Sequence, residues 1–117
     1  MQFKIRGRGI TLAEEVKRFA EEKANKLANF GIDILLVDMV LEEDHNKTED
    51  KAAKAKMLID IPGKNIEATG EGKTIFAAIN KAQENAIRQL SERNKKIESK
   101  SRFVKGKQII RRLFRQD

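Results

Sequence analysis

The sequence contains no cysteine, tryptophan or tyrosine among its 117 residues. The lack of cysteine excludes disulfide bonds, thiolate metal sites and a cysteine nucleophile, and it fits a reducing cytoplasm. Six Phe without Tyr or Trp argue against a platform on which single-stranded bases stack, and no RNP-like aromatic motif marks the strands. The longest uninterrupted apolar run covers residues 75–79, whereas a membrane span needs about 20 residues. Residues 1–6 lack the apolar stretch of a signal peptide, so we expect a cytoplasmic protein with no membrane partner.

Positive charge is unevenly distributed along the chain. The sequence has 25 Lys and Arg against 18 Asp and Glu, a net charge of +7. Residues 1–97 hold 18 basic and 16 acidic side chains, whereas residues 98–117 hold seven basic and two acidic ones. We therefore predict one balanced α/β domain over residues 1–97 and a basic tail or linker over residues 98–117. Such a tail favours a polyanionic partner such as nucleic acid, although a solubilising tail has the same composition.

Alternating polar and apolar residues predict four strands with one wet face. The predicted strands cover about residues 3–7, 34–42, 54–61 and 65–70. Pro62 and Gly63 fit the two central positions of a type II turn between the last two strands. Short connections predict that the last three strands form an antiparallel meander, and a right-handed crossover would place the first two strands parallel.

Helical periodicity predicts two helices. Thr11 stands three residues before Glu14, which is the spacing of a capping box, so we expect the first helix to begin there. Thr74 is placed to cap a second, longer helix whose apolar pattern weakens after Ile97. The predicted order is β-α-β-β-β-α. It gives an α+β fold with a four-stranded mixed sheet and both helices on one face, similar to a double-stranded-RNA-binding domain.

A row of cations follows the outward side of the second predicted helix. Lys81, Arg88 and Lys95 are spaced seven residues apart, so they share one side over about 21 Å, and Lys96 extends the row. Such a row can follow the phosphates of a folded RNA. An ordinary solvated helix face remains the alternative, since Glu84 and Glu92 lie close to it in the sequence.

Other candidate sites give weaker signals. Lys23 falls near the apolar stripe of the first helix and is expected to reach the surface at the seam between the helices. The acidic loop around His45 alternates oxygen-bearing side chains as a calcium loop does, but it lacks the required Gly and the terminal Glu, so no metal or cofactor is predicted. No nucleophile–base pair is evident, and we predict that the protein is not an enzyme.

Two stretches of the chain resemble a known family. Residues 23–30 are similar to its Lys/Arg-Leu-x-Lys-Leu motif ending in an aromatic. Residues 74–80, followed by Arg88-Gln89-Leu90 and Lys95-Lys96, are similar to its Asp-Met-Tyr-x-Ala-Ile-Asp motif, Arg-Gln-Leu and basic helix end. The family is that of the ribosome hibernation-promoting factors and the ribosome-associated inhibitor A, also known as the sigma-54 modulation proteins. Asn85 and Glu92 depart from it, because members often carry Lys there.

The resemblance implies a partner and a mode of action. The domain would bind the small ribosomal subunit through its rRNA, in the cleft for mRNA and tRNA, and block translation sterically, as a monomer off the ribosome. Carried over by position, the implied RNA contacts are Lys23, Lys26, Arg88, Lys95 and Lys96; Lys81 is added from the helical geometry.

The basic tail leaves two interpretations open. As an RNA-binding extension it would use Arg102, Lys105, Lys107, Arg111 and Arg112. As a short amphipathic helix it would instead dock into a partner protein through Ile110, Leu113 and Phe114, which makes a protein-interaction module the alternative function.

Overall fold

A computed structural model of the chain describes residues 1–30, 32–44, 46–48 and 51–105, with side chains described up to residue 92 except that of Phe30. The described elements follow the predicted order. They are β1 (Gln2–Arg8), α1 (Glu14–Asn25), a short 3₁₀ helix (Lys26–Phe30), β2 (Leu36–Glu43), β3 (Ala53–Ile61), β4 (Lys64–Gly72) and α2 (Ile75–Lys105).

The four strands form one mixed sheet in the order β1-β2-β3-β4. β1 pairs with β2 in parallel, whereas β2–β3 and β3–β4 pair antiparallel, as predicted. Burial alternates along β2 and β3, because successive side chains of a strand point to opposite faces. The helices pack on the face that carries the buried side chains, so the fold prediction is confirmed.

A two-residue turn joins β3 to β4. Ile61 and Lys64 are paired across the hairpin, which leaves Pro62 and Gly63 between them. Gly63 has φ = 81°, the left-handed conformation that the third position of a type II turn requires and that glycine adopts without steric cost.

The first helix begins later than predicted. Its N-cap is Ala13, which makes no side-chain cap, and the Ala13 carbonyl accepts hydrogen bonds from the amides of Val16 (3.0 Å) and Lys17 (3.1 Å). The capping box predicted from Thr11 is therefore wrong. Ile10 and Leu12 pack against the core, and this holds the chain before Ala13 out of the helix. Glu14 in the first turn still complements the helix dipole.

The second helix is capped as predicted and is longer than predicted. Thr74 Oγ1 accepts a hydrogen bond from the Ala77 amide at 3.1 Å. The backbone of α2 is continuous to Lys105, so residues 99–101, expected to be a linker, are helical. The domain boundary at residue 97 stays a prediction, and the tail helix expected over residues 109–114 lies outside the described residues.

Small residues allow α2 to lie directly on β4. Ala78, Ala82 and Ala86 are fully buried where the helix crosses the sheet. Gly70 of β4 lies beneath it, and a Cβ at this position would stand 2.5 Å from the Ala78 carbonyl oxygen. Glycine is thus required here by the close approach of two backbones, and the contact sets the position of α2 on the sheet.

Candidate nucleic-acid interface

Amide side chains fasten α2 to the edge of the sheet. Asn85 donates a hydrogen bond from Nδ2 to the Thr69 carbonyl oxygen, and Gln89 donates from Nε2 to the Glu67 carbonyl oxygen at 3.0 Å. Both acceptors belong to β4, an edge strand. The two bonds fix the rotation of α2 about its axis and thereby decide which residues face solvent.

The exposed side of α2 carries two of the predicted cations. Lys81 lies exposed at the border with β4, where it lines an open depression of about 390 Å³ with Gly70, Glu71 and Asn85 among other residues. Among the described residues Lys81 makes no ion pair. Arg88 lies 3.8 Å from Glu92, and both side chains are about two-thirds exposed (66% and 62%). An exposed pair of this kind is weak and screened by salt, so Arg88 can exchange Glu92 for a phosphate.

Lys23 lies at the seam between the helices, as predicted. Its Nζ atom is 5.2 Å from the centre of the Phe19 ring. Phe19 meets Phe76 of α2 edge to face, with ring centres 5.0 Å apart. Gln83 of α2 donates a hydrogen bond to the Lys23 carbonyl oxygen at 3.1 Å. The ammonium group is half-buried over an aromatic face, which orients it at the mouth of the seam.

The predicted cations do not all come together. Lys23 lies on the α1 side of α2 and Lys26 is exposed in the 3₁₀ helix, whereas Lys81 and Arg88 lie on the exposed side of α2. Four further candidates belong to the backbone of α2, but their side chains lie outside the described residues: Lys95, Lys96, Arg102 and Lys105. Three lie wholly outside the described residues: Lys107, Arg111 and Arg112.

The helical backbone preserves the predicted spacing of the cation row. One uninterrupted helix carries Lys81, Arg88 and Lys95. Each step of seven residues advances about 10.5 Å and nearly completes two turns. The alignment of these three positions along α2 therefore follows from the backbone alone.

The described helical surface is nevertheless balanced in charge. Residues 14–26 carry four cations and four carboxylates, and residues 75–92 carry two of each. Over the whole chain, residues 1–92 hold 15 basic and 16 acidic side chains, whereas residues 93–117 hold ten basic and two acidic ones. The excess of positive charge therefore begins within α2, beyond Glu92, rather than on its sheet-packed part.

Sequence reasoning missed the amides that position this surface. Gln83 links α2 to α1, and Asn85 with Gln89 links it to β4. The available signal was their place at the borders of the apolar stripe, with Asn85 and Gln89 four residues apart. Asn85 departs from the family pattern, and its side chain hydrogen-bonds α2 to the edge strand β4.

The described part of the chain offers no evident centre for metal chemistry. Within it, no three His, Asp or Glu side chains are grouped closely enough to hold a metal ion. His45 lies outside the described residues. No described helix combines the length and apolar character required to traverse a lipid bilayer.

Solved structures share this arrangement of strands and helices. A ribosomal subunit interface protein from Coxiella burnetii superposes with a TM-score of 0.68 at 16% identity, over 81% of this chain and 99% of that one. The N-terminal domain of Protein Y from Thermus thermophilus superposes with a TM-score of 0.67 at 22% identity, over 79% and 98% of the two chains. The protein is thus an α+β domain of the fold that these proteins adopt.

Sequence comparison then gives the family. Residues 3–98 match the family described as Sigma 54 modulation protein / S30EA ribosomal protein, and the chain belongs to it. A ribosome hibernation promotion factor from Deinococcus radiodurans is 24% identical over 106 residues, which cover 91% of this chain and 52% of the relative. The chain spans about half the length of that relative.

Proposed function

We propose that the protein is a ribosome hibernation factor that binds the small ribosomal subunit through its rRNA and blocks translation by occupying the cleft for mRNA and tRNA. Family membership and the relative's name support association with ribosomes. The excess of basic residues after Glu92 supports RNA as the ligand, since polyanion binding depends on displacing counterions from phosphates.

One observation carries the proposal. A single helix, fastened to the sheet at Asn85 and Gln89, continues to Lys105 as the sequence turns strongly basic. At about 1.5 Å per residue, its 31 residues span about 46 Å, longer than the nine-residue strand β4 at about 30 Å. Such a helix carries many cations on one continuous support, which suits contacts with the phosphates of a folded RNA.

The mechanism requires no catalytic group. The domain acts by excluded volume in the cytoplasm, where its residence on the subunit prevents mRNA and tRNA from binding. Lys81 and Arg88 begin the contact surface, and Lys95 and Lys96 continue it along α2. Lys23 and Lys26 provide a second contact region on the other side of the helix pair.

Cosedimentation with purified small subunits tests the proposal. The full chain is expected to migrate with the subunits at low salt and to dissociate steeply as salt rises, because each released phosphate contact contributes about 0.9 to the slope of log K against log salt. Replacing Arg88 and Lys95 together with Glu is expected to weaken binding. A matched control replaces Lys4 of β1 and Lys64 of β4, which are exposed and lie outside both helices, with Glu.

Three results would contradict the proposal. The chain could stay at the top of the gradient at low salt, or the two double variants could bind equally. Binding could also be insensitive to salt and abolished by polar substitutions at Ile110, Leu113 and Phe114, which would favour a protein-interaction module.

A further inference from the structure

The sheet face opposite the helices carries a second cationic feature. Arg6 and Arg8 of β1 share this face with Lys54 and Lys56 of β3, while β2 runs between them. In register, Val40 of β2 lies between Arg6 and Lys56, and Glu42 lies between Arg8 and Lys54. These residues and Leu58 line a cavity of about 210 Å³, which we term the sheet trough.

The sheet trough has the dimensions of an extended chain. Its two walls stand on strands separated by β2, about 10 Å apart. Within each wall the two cations are two residues apart on one strand, or about 6.6 Å. This repeat is close to the separation of successive phosphates in an extended polynucleotide. The floor is apolar where Val40 and Leu58 are half-buried, which suits the less polar faces of ribose and base.

Carboxylates orient the arginines without covering them. Arg6 Nη2 is 3.2 Å from Asp38 Oδ2, and Arg8 Nη1 is 3.3 Å from Glu42 Oε2. The arginine side chains are 65% and 74% exposed, whereas the carboxylates are 20% and 34% exposed, so the guanidinium groups lie on the solvent side of each pair. Each recorded ion pair joins one arginine nitrogen to one carboxylate oxygen, and a guanidinium has five N–H donors.

The lysine wall is weakly paired. Lys56 lies 3.7 Å from Glu67, and both side chains are about half exposed, so this pair is easily exchanged. Lys54 is flanked in register by Glu42 and Glu71, yet it makes no ion pair within the described part of the chain. Asp38, Glu42 and Glu67 pair with three of the four lining cations, so the sheet trough keeps a small excess of positive charge, and its exposed pairs can be exchanged for phosphate.

We propose that the sheet trough binds two successive phosphates of an extended single-stranded RNA segment that runs along β2. The narrow spacing of the walls excludes a duplex, and the absence of an aromatic ring from the lining makes binding independent of base sequence. The site lies across the sheet from α2, so the domain contacts RNA on two opposite sides. It goes beyond the proposed function because none of its residues belongs to the helical surface.

Fluorescence anisotropy with a labelled six-nucleotide oligouridylate tests the proposal on the full 117-residue chain. The test variant is Arg8→Gln with Lys54→Gln, which takes one cation from each wall. The control is Lys17→Gln with Lys64→Gln, which removes the same charge from exposed positions away from the sheet trough. The basic tail contributes equally to both, so their difference reports the trough.

The test variant is expected to bind about tenfold more weakly at low salt, and the control within about twofold of the unmodified chain. The slope of log K against log salt is expected to fall by about 0.7 in the test variant, because Arg8 and Lys54 face each other and hold one of the two phosphates. Methyl resonances of Val40 and Leu58 should shift on titration with the oligonucleotide. The exchange Arg8→Lys with Lys54→Arg, which retains both charges, should preserve binding and exclude misfolding as the cause of a loss.

Four outcomes would overturn the proposal. The two double variants could lose affinity equally, or the charge-retaining exchange could lose binding while its circular dichroism matches the unmodified chain. The Val40 and Leu58 methyls could remain unshifted while the oligonucleotide binds, which would assign binding to the tail. Inorganic phosphate at the same phosphate concentration could reproduce the methyl shifts, which would reduce the trough to a general anion site.

Discussion

Residues 1–92 and residues 93–117 differ in packing and in charge. The first region contains the sheet, the seam between the two helices and all the buried side chains of the described residues, and its charges nearly cancel. The second holds ten of the 25 basic residues in about a fifth of the length, and α2 joins the two without interruption. The buried core and the excess of positive charge thus lie in different parts of the chain. The difference teaches that a fold of this kind can carry its excess of positive charge on a helical extension rather than on its packed body.

Neutralising the second region is expected to have the largest effect on RNA binding. Replacing Arg93, Lys95, Lys96 and Lys100 with Gln should weaken association with small subunits by about 100-fold, since several phosphate contacts are lost together. The free energy of unfolding should change little. Binding would be measured by cosedimentation at several salt concentrations. The same test would be made on four cations of residues 1–92 that lie outside α2 and the sheet trough. If neutralising them weakened binding to small subunits equally, this difference between the two regions would be contradicted.

A substitution at Gly70 is expected to lower the stability of the fold, in contrast to the neutralised cations. Gly70→Ala would place a Cβ against the backbone of α2 at Ala78 and lower the free energy of unfolding by about 3 kcal/mol. Urea denaturation measures this loss. Gly63→Ala, which strains only an exposed turn, serves as the comparison and should cost less. If the Gly70→Ala protein were as stable as the unmodified chain, α2 would have to be able to move away from β4 without loss of stability.

Removing the edge fastenings should have a moderate effect on stability. Asn85→Ala and Gln89→Ala each delete one side-chain hydrogen bond to β4, and each is expected to cost about 1 kcal/mol of unfolding free energy. Hydrogen exchange should then accelerate in the sheet-packed turns of α2 more than in β2 or β3. Uniform acceleration across the domain would show that the amides do not act locally.

The smallest expected effect concerns the pair on the exposed side of α2. Glu92→Gln should change the free energy of unfolding by less than about 0.5 kcal/mol, because the pair with Arg88 is exposed. The same change should strengthen binding to RNA by about twofold, because it frees Arg88 and removes a repelling charge. Glu84→Gln is the control for the lost charge alone. A larger gain from Glu84→Gln would show that pairing with Arg88 is irrelevant.

Sequence patterns predicted most of the fold because its strands and helices follow simple periodicities. Burial alternates along β2 and β3 as the residues predict, and Thr74 caps α2 as expected. The start of α1 was mispredicted because Ile10 and Leu12 pack against the core, a tertiary effect that overrides the local capping signal at Thr11.

The interface was less predictable than the fold. Helical spacing correctly indicated that Lys81 and Arg88 are exposed and that Lys23 lies at the seam. The sequence alone did not predict that Arg88 pairs with Glu92, because the side-chain rotamers determine which charged groups meet. The sheet trough could not be found from periodicity, because it depends on the register that aligns Arg6 and Arg8 with Lys56 and Lys54 across β2.

The bonds from Asn85 and Gln89 have a further consequence for how the molecule behaves in crowded solution. They occupy the Thr69 and Glu67 carbonyl oxygens of β4. The free backbone groups of an edge strand could otherwise pair with a strand of another molecule. A second chain could pair with β4 at Thr69 and Glu67 only by displacing both amides. The two bonds therefore oppose strand addition along this part of the edge.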